Sequence, residues 1–333
     1  MKQLSVDALA QQCQQNTQLF NIMFVLLSRC NENCVHCYIP DHTHPGLPTE
    51  TVKRLIDEAR ALGALNVTFT GGEILLRQDL PELIAYARSR WMRVHLMSNG
   101  VAMDEDYIRM LAQLHITNFS TTVFSMDPQV HDRITQVPGS LQKCLDNILL
   151  LHRYGIDVTV KTPLMEWNKY AYREVEQFAR KYGFAFRTTT TIFGKTDGDS
   201  SPHALQIGQD FKTILDETDA LNEVYRGNLK VQEEGAAPCS AGFSSICVNY
   251  DGTVWPCNTL TLDVGNVHKT PLARIWHEAH ALLEWRQRAK LPRPVCDACP
   301  VQKTCIRCPG LAYMEDGDLY GCSASAKKLA EAR

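Results

Sequence analysis

Two hydrophobic rhythms alternate along the chain from residue 21 to about residue 195. Short runs rich in β-branched and aromatic residues read as strands: IMFVLLS (22–28), NVTFT (66–70), MRVHLMS (92–98), TNFSTTVF (117–124), IDVTVKT (156–162) and FAFRTTTTI (184–192). Between them, apolar residues recur at helical spacing. Val52, Leu55, Ile56, Ala59 and Leu62 make one face of a helix that Thr49 is placed to cap. DLPELIAYARSR opens with Asp79 as N-cap, Pro81 in the first turn and Glu82 three residues after the cap. Leu141, Leu145, Ile148 and Leu151 form a third stripe that stops at Gly155. Six strand–helix units in series require crossovers and therefore predict a parallel sheet. Six are too few for a closed eight-fold barrel, so the expected fold is α/β with an open or partial barrel.

In such folds chemistry collects on the loops after the C-terminal ends of the strands. The unusual polar motifs all fall there. CNENCVHC (30–37) follows the first strand, GGE (71–73) the second, SNG (98–100) the third and FSMD (124–127) the fourth. HDRITQVPGS (131–140) reads as part of a βα loop, with His131 and Asp132 solvated, and VKTPLMEWN (160–168) as a strand end.

Composition narrows the setting. Hydrophobic residues at 44% and charged residues at 21% of 333 describe an ordinary water-soluble protein of one large and one smaller domain. A net charge of −3 gives no basic footprint for nucleic acid. The first 20 residues lack the apolar core of a signal peptide, and no stretch has the ~20 apolar residues of a membrane span. A cytoplasmic location is expected. Thirteen cysteines then need another explanation, because reducing compartments disfavour disulfides. Three lie at 30–37 and eight between Cys239 and Cys322, a clustering that reads as metal binding. Cys144 sits near the apolar stripe of its helix, which favours core packing, and Cys13 stands alone.

Three thiolates on one loop leave a tetrahedral metal one ligand short. Zinc with His36 as fourth ligand is one solution; a four-iron–four-sulfur cluster with one iron open is another. The spacing Cys30-x3-Cys34-x2-Cys37 resembles the signature of the radical S-adenosylmethionine (SAM) superfamily. That resemblance implies a partial (β/α)6 TIM-like barrel, and a cluster that Cys30, Cys34 and Cys37 hold and SAM chelates through its amino and carboxylate groups. An electron from the cluster then splits SAM and releases a 5′-deoxyadenosyl radical. It further implies that Gly71, Gly72 and Glu73 receive the SAM amino group, and that Ser98, Asn99 and Ser125 contact ribose or carboxylate. His36 takes the place usually given to an aromatic residue beside the adenine. Glycines at 71 and 72 allow close approach of backbone to ligand.

From residue 239 the texture changes. Cys239 and Cys257 flank two short strands with YDGT as their turn. GN (265–266) and a helix containing ARIW follow, then Cys296-x2-Cys299-x5-Cys305-x2-Cys308, and Cys322. Two C-x-x-C pairs suit a zinc ribbon equally well on spacing alone. In context the segment resembles the SPASM extension of radical SAM peptide and protein maturases, which carries two auxiliary four-iron–four-sulfur clusters. The resemblance assigns Cys239, Cys257 and Cys308 to the first and Cys296, Cys299, Cys305 and Cys322 to the second. Cys247 supplies the missing fourth ligand of the first, or that site stays open for substrate and Cys247 is a small core residue. This region is poor in core-forming periodicity, so metal is expected to stabilise it. The domains expected are an N-terminal segment (1–20), the barrel (21–200), a helical linker (201–235) and the auxiliary-cluster domain (236–333).

The implied function is an enzyme that uses SAM and three clusters to abstract hydrogen from a ribosomally made precursor peptide and form a carbon–carbon, thioether or related cross-link. A separate leader-binding protein is expected, since only about 20 residues precede the first strand, together with a flavodoxin or ferredoxin as electron donor. Alternatives are a formylglycine-forming sulfatase-type maturase, a peptide epimerase using Cys13 or Cys144 as hydrogen donor, and a non-catalytic iron–sulfur or zinc scaffold.

Overall fold

The computed structural model describes residues 5–208, 210, 213–214, 217, 236–302, 305 and 307–331. Six parallel strands follow the predicted runs: β1 (Asn21–Val25), β2 (Asn66–Thr70), β3 (Arg93–Met97), β4 (Asn118–Thr122), β5 (Val158–Pro163) and β6 (Ala185–Thr189). Helices α1 (Val6–Gln15), α2 (Thr49–Ala61), α3 (Leu80–Ser89), α4 (Glu105–Gln113), α5 (Pro128–Thr135), α6 (Ser140–Arg153) and α7 (Tyr172–Tyr182) precede or connect them. One face of the sheet, with Ile22, Phe24, Val67, Phe69, Val94, Leu96, Phe119 and Val160, packs on the helix faces carrying Leu55, Ile56, Leu83, Ile108, Ile148 and Val175. Every one of these side chains is essentially excluded from water, which makes this contact the dominant hydrophobic contribution. The opposite, inner face is largely polar: buried on β2, half-buried on β3 and β5, and exposed on the edge strand β6.

The sheet does not stop at six strands. Strand β7 (Ser245–Val248) lies parallel to β1, with Ile22 opposite Ile246 and Phe24 opposite Val248. Strands β8 (Thr253–Trp255) and β9 (Gly265–Asn266) continue it antiparallel, giving the order β6-β5-β4-β3-β2-β1-β7-β8-β9. The cysteine-rich region therefore grows out of the barrel sheet. It also brings a core of its own: Phe243, Val254, Leu260, Ile275, Trp276, Leu282 and Trp285 are buried and continuous with the barrel core. Residues 236–325 read as poor in core-forming periodicity, yet they supply buried apolar side chains; the spacing is hidden because short strands and two short helices (Leu272–Glu278, His280–Arg288) interrupt it.

Three local readings also change. Thr49 is the first helical residue of α2 behind Pro48, and its hydroxyl donates to Asp79 rather than capping. Asp79 does precede α3, but its carboxylate is turned to Arg77 and Thr49 and accepts no helix N–H. The stretch at His131 is the helix α5, not a loop. Most of the expected linker 201–235 lies outside the described residues; a 3-10 turn covers Ser201–Leu205. Among the described residues no helix is long and apolar enough to cross a membrane.

Candidate active site

The first cysteine loop is held by backbone. Ser28 N donates to His44 O (3.1 Å) and Ser28 Oγ accepts from His44 N (2.9 Å), folding residues 28–44 back on themselves. Asn33 N and Val35 N donate to Thr135 O and Ile134 O, both at 3.0 Å, so the loop docks on the open carbonyls at the end of α5. A turn closed by Cys37 N on Cys34 O (3.0 Å) brings the thiols round. Burial pushes the Cys30 thiol up to about 12 and the neighbouring Cys37 adds to this; Cys34 is raised by burial, Glu32 and both other thiols. Three thiols that feel one another on one loop suit a metal that would displace their protons. Among the described residues no three Cys, His, Asp or Glu side chains already stand in a finished metal-ligand arrangement.

The glycines of GGE have a protein-internal reason. Gly72 N donates to Leu27 O (2.9 Å) and Glu73 N to Arg29 O (2.8 Å), seating the β2 loop on the cysteine loop. A Cβ on Gly72 would lie 2.2 Å from Arg29 O and 2.3 Å from Ser28 O; one on Gly71 would lie 2.6 Å from Leu27 O. Only glycine permits this approach. Glu73 is fully buried and accepts from Leu75 N (2.8 Å), Ser98 Oγ (2.8 and 3.0 Å) and Asn99 N (2.7 Å). Burial nonetheless raises its carboxyl to about 7, because none of those partners is a cation. Asn99 Nδ2 donates to Asn31 Oδ1 (2.7 Å) and lies 4.0 Å from Cys30 Sγ. Cys30, Asn31, Glu73, Ser98 and Asn99 thus form one connected network. A buried carboxylate lacking a counter-charge, beside three thiols, fits a cluster and a ligand carrying an ammonium group.

Other expected site residues make no hydrogen bond to that network. Ser125 is buried and accepts from Asp127 N (3.0 Å) at the entry to α5. His36 meets Phe124 edge-on at 5.0 Å, its Nδ1 is buried with no hydrogen-bond partner, and burial lowers its pKa to about 4. That orphaned nitrogen fits a ligand's hydrogen-bond donor. His131, also buried, accepts from Phe124 N through Nδ1 (3.2 Å), and Asp132 caps α6. Cys144 packs on Thr121 (3.6 Å) behind the sheet, and Cys13 is buried on α1. Sequence reasoning missed Asn31, Glu32 and Asn168. Asn168 ties β4 to β5 by donating to Phe124 O (2.8 Å) and Pro163 O (3.0 Å). Polar residues inside the cysteine motif were the available signal for the first two.

The remaining cysteines sort into two groups. Burial raises Cys239 to about 12, and the Cys257 and Cys308 thiols raise it further; Cys247, fully buried on β7, also feels Cys257. Burial raises Cys305 to about 11, with contributions from Cys296, Cys322 and Cys299. Those last four line a cavity of about 360 Å³ together with Arg307 and Lys327. On that measure one water needs roughly 10–15 Å³, so a group of several atoms fits.

Comparison with known proteins agrees with this geometry. Residues 24–195 match the radical SAM superfamily and residues 239–300 the SPASM iron-sulfur cluster-binding domain. An AdoMet-dependent heme synthase of Nitratidesulfovibrio vulgaris is 25% identical over 91% of this chain and 92% of its own length. A PqqA peptide cyclase of Xanthomonas oryzae pv. oryzae is 26% identical over 88% of this chain and 84% of its own. The structure of Streptococcus suis SuiB bound to the precursor peptide SuiA superposes with a TM-score of 0.72 at 12% identity, covering 96% of this chain and 78% of that one.

Proposed function

The chain belongs to the radical SAM superfamily, and from that premise we propose that it is a maturase that cleaves SAM reductively and abstracts hydrogen from a precursor peptide to form a cross-link. The observation that carries the reading is the buried, uncompensated Glu73 joined through Asn99 to the Cys30 loop. Cys30, Cys34 and Cys37 would hold the SAM-binding cluster. Glu73 would accept from the SAM ammonium, positioned by Ser98 and Asn99, with Gly71 and Gly72 fixing its loop. His36 and Ser125 would border the remainder of the cofactor. Cys239, Cys257 and Cys308, with Cys247 as fourth ligand, would hold one auxiliary cluster, and Cys296, Cys299, Cys305 and Cys322 the other. When bound, these groups supply the electron and the 5′-deoxyadenosyl radical. The protein's own part is to orient them and exclude water. An external one-electron donor of the flavodoxin or ferredoxin class, and a separate protein that binds the peptide's leader, complete the proposal.

Peptide chemistry is supported by the PqqA cyclase and SuiB relatives. A second reading, a tetrapyrrole substrate, is supported by the heme synthase that spans most of the chain. Anaerobic reconstitution followed by iron and sulfide analysis tests the cofactor content. Three clusters require about twelve irons, and a Cys30→Ala/Cys34→Ala/Cys37→Ala variant about eight. About four irons accompanied by zinc would reduce the C-terminal region to a structural ribbon.

A further inference from the structure

Lys161 and Arg187 are Cα partners in the parallel pair of β5 and β6. Partners share a face of the sheet, so two cations stand side by side on the inner face, away from the helices. Like charges directly opposite destabilise a sheet. Neither side chain has an acidic partner among the described residues. Lys161 Nζ reaches Met97 Sδ at 3.5 Å, and Arg187 Nη1 reaches Phe186 O at 3.1 Å. A thioether is a weak acceptor, yet Lys161 is half-buried and burial pushes its pKa down.

The imbalance extends across the sheet. Among the nine strands the charged residues are Arg93, Lys161 and Arg187, all on the inner face, and there is no Asp or Glu. The pair also sits high. Lys161 is in register with Thr122, the last residue of β4, and touches Met97, which immediately precedes Ser98 and Asn99. Carboxylates on the rim have other partners: Glu73 accepts from Leu75, Ser98 and Asn99, Asp127 from Gln129, Glu166 pairs with Lys169, and Glu32, before any metal binds, accepts from Cys34. A half-buried lysine beside an exposed arginine, with no internal counter-charge, offers a solvent-accessible site for an anion from outside, and a planar two-oxygen group matches the guanidinium fork.

We propose that Lys161 and Arg187 form a carboxylate-recognition site below the cofactor rim and that the substrate presents a carboxylate to them. The proposal rests on the reading of this barrel as one that acts on a bound substrate. The carboxylate belongs either to an acidic peptide residue or to a tetrapyrrole side chain.

The test uses the full, cluster-reconstituted chain and equilibrium dialysis with matched probes: Ac-Gly-Gly-Glu-Gly-Gly-NH2 against its Gln counterpart, and heme against its dimethyl ester. The wild type should prefer one acidic probe over its neutral partner by about tenfold, the worth of one charge-assisted contact. Lys161→Met/Arg187→Gln should reduce that preference to less than twofold and Lys161→Arg should keep it, with iron content equal to wild type as the folding control. Preference for the Glu peptide identifies a peptide carboxylate; preference for heme alone supports the site and moves the substrate to the tetrapyrrole class. The proposal is overturned if the wild type shows no preference in either pair, or if the double variant keeps it. It is equally overturned if the double variant weakens only the binding of SAM, whose own carboxylate would then be the partner. SAM cleavage by the wild type, measured separately, tests the reaction itself: its absence refutes the proposed function and leaves the binding result standing.

Discussion

Glu73 accepts from three donors, Leu75 N, Ser98 Oγ and Asn99 N, with no cation beside it and no exposed surface, and that combination sets a pH signature. Burial lifts its carboxyl from 4.5 to about 7 in the folded chain. An acid whose folded pKa is raised stabilises the fold while protonated. Its contribution is complete below the unfolded value and is lost as pH rises through the folded one. Between about pH 4.5 and 7 the SAM-free protein should therefore lose about 3 kcal/mol through this residue. Urea denaturation of cluster-loaded wild type and Glu73→Gln at pH 5.5 and 8 isolates the effect. Gln costs a hydrogen bond at both values, so the quantity to compare is the change with pH. It should be steeper in wild type, and saturating SAM should flatten it by supplying the missing ammonium. Equal pH dependence in the two proteins would mean that Glu73 is already neutralised by something else.

At the scale of elements, α5 and α6 show how one side chain can organise a site it never touches. Gly139 at the head of α6 offers no side-chain cap. Asp132, one helix earlier, accepts from Gly139 N (2.6 Å), Leu141 N (3.1 Å) and Ser140 Oγ (3.0 Å) instead. The same α5 ends in the two carbonyls that hold Asn33 and Val35 of the cysteine loop. Asp132→Ala should cost about 1–2 kcal/mol, the range for a lost helix cap, read as a fall in urea midpoint at unchanged slope. A cost near zero would leave the α5–α6 corner held by packing alone. This corner also marks where sequence reading ends. The six strands were legible within a few residues because β-branched runs and flanking helices agree locally. HDRITQVPGS was not, since an eight-residue helix that ends at Thr135, followed at once by Pro138 and Gly139, has too little periodicity. It is held by Phe124 N on His131, seven residues away, and by the cysteine loop, about 100 residues away, docked on its last turn. The rim positions of Cys30, Glu73 and Asn99 follow from strand order. Their joining into one network depends on loop geometry that spacing does not encode.

For the whole molecule, the consequential feature is the junction between β1 and β7. A short strand such as SICV carries no sign of its partner, so its parallel pairing with β1 across more than 200 residues could not be read from the chain. Parallel sheets are normally covered and paired on both sides. Here residues 245–248 satisfy the outer edge of β1 while Phe20 N and Asn21 N donate to Ser244 O. Gln14 of α1 donates to Ala237 O, and Glu58 of α2 accepts from Leu272 N. The apolar side chains from Phe243 to Trp285 are part of the barrel's own core. The barrel and the cysteine-rich region should therefore fold as one unit even before any metal is bound. A chain ending at residue 205 would expose the β1 edge and that apolar surface together, a combination that drives edge-to-edge association. It should elute as aggregate on size exclusion, whereas the full chain with the four cavity-lining cysteines (296, 299, 305 and 322) changed to Ser should keep a cooperative melt. If the truncated barrel is instead monomeric with native circular dichroism, β7 is an attachment point rather than a structural strand. The two regions would then be separable machines joined by a linker.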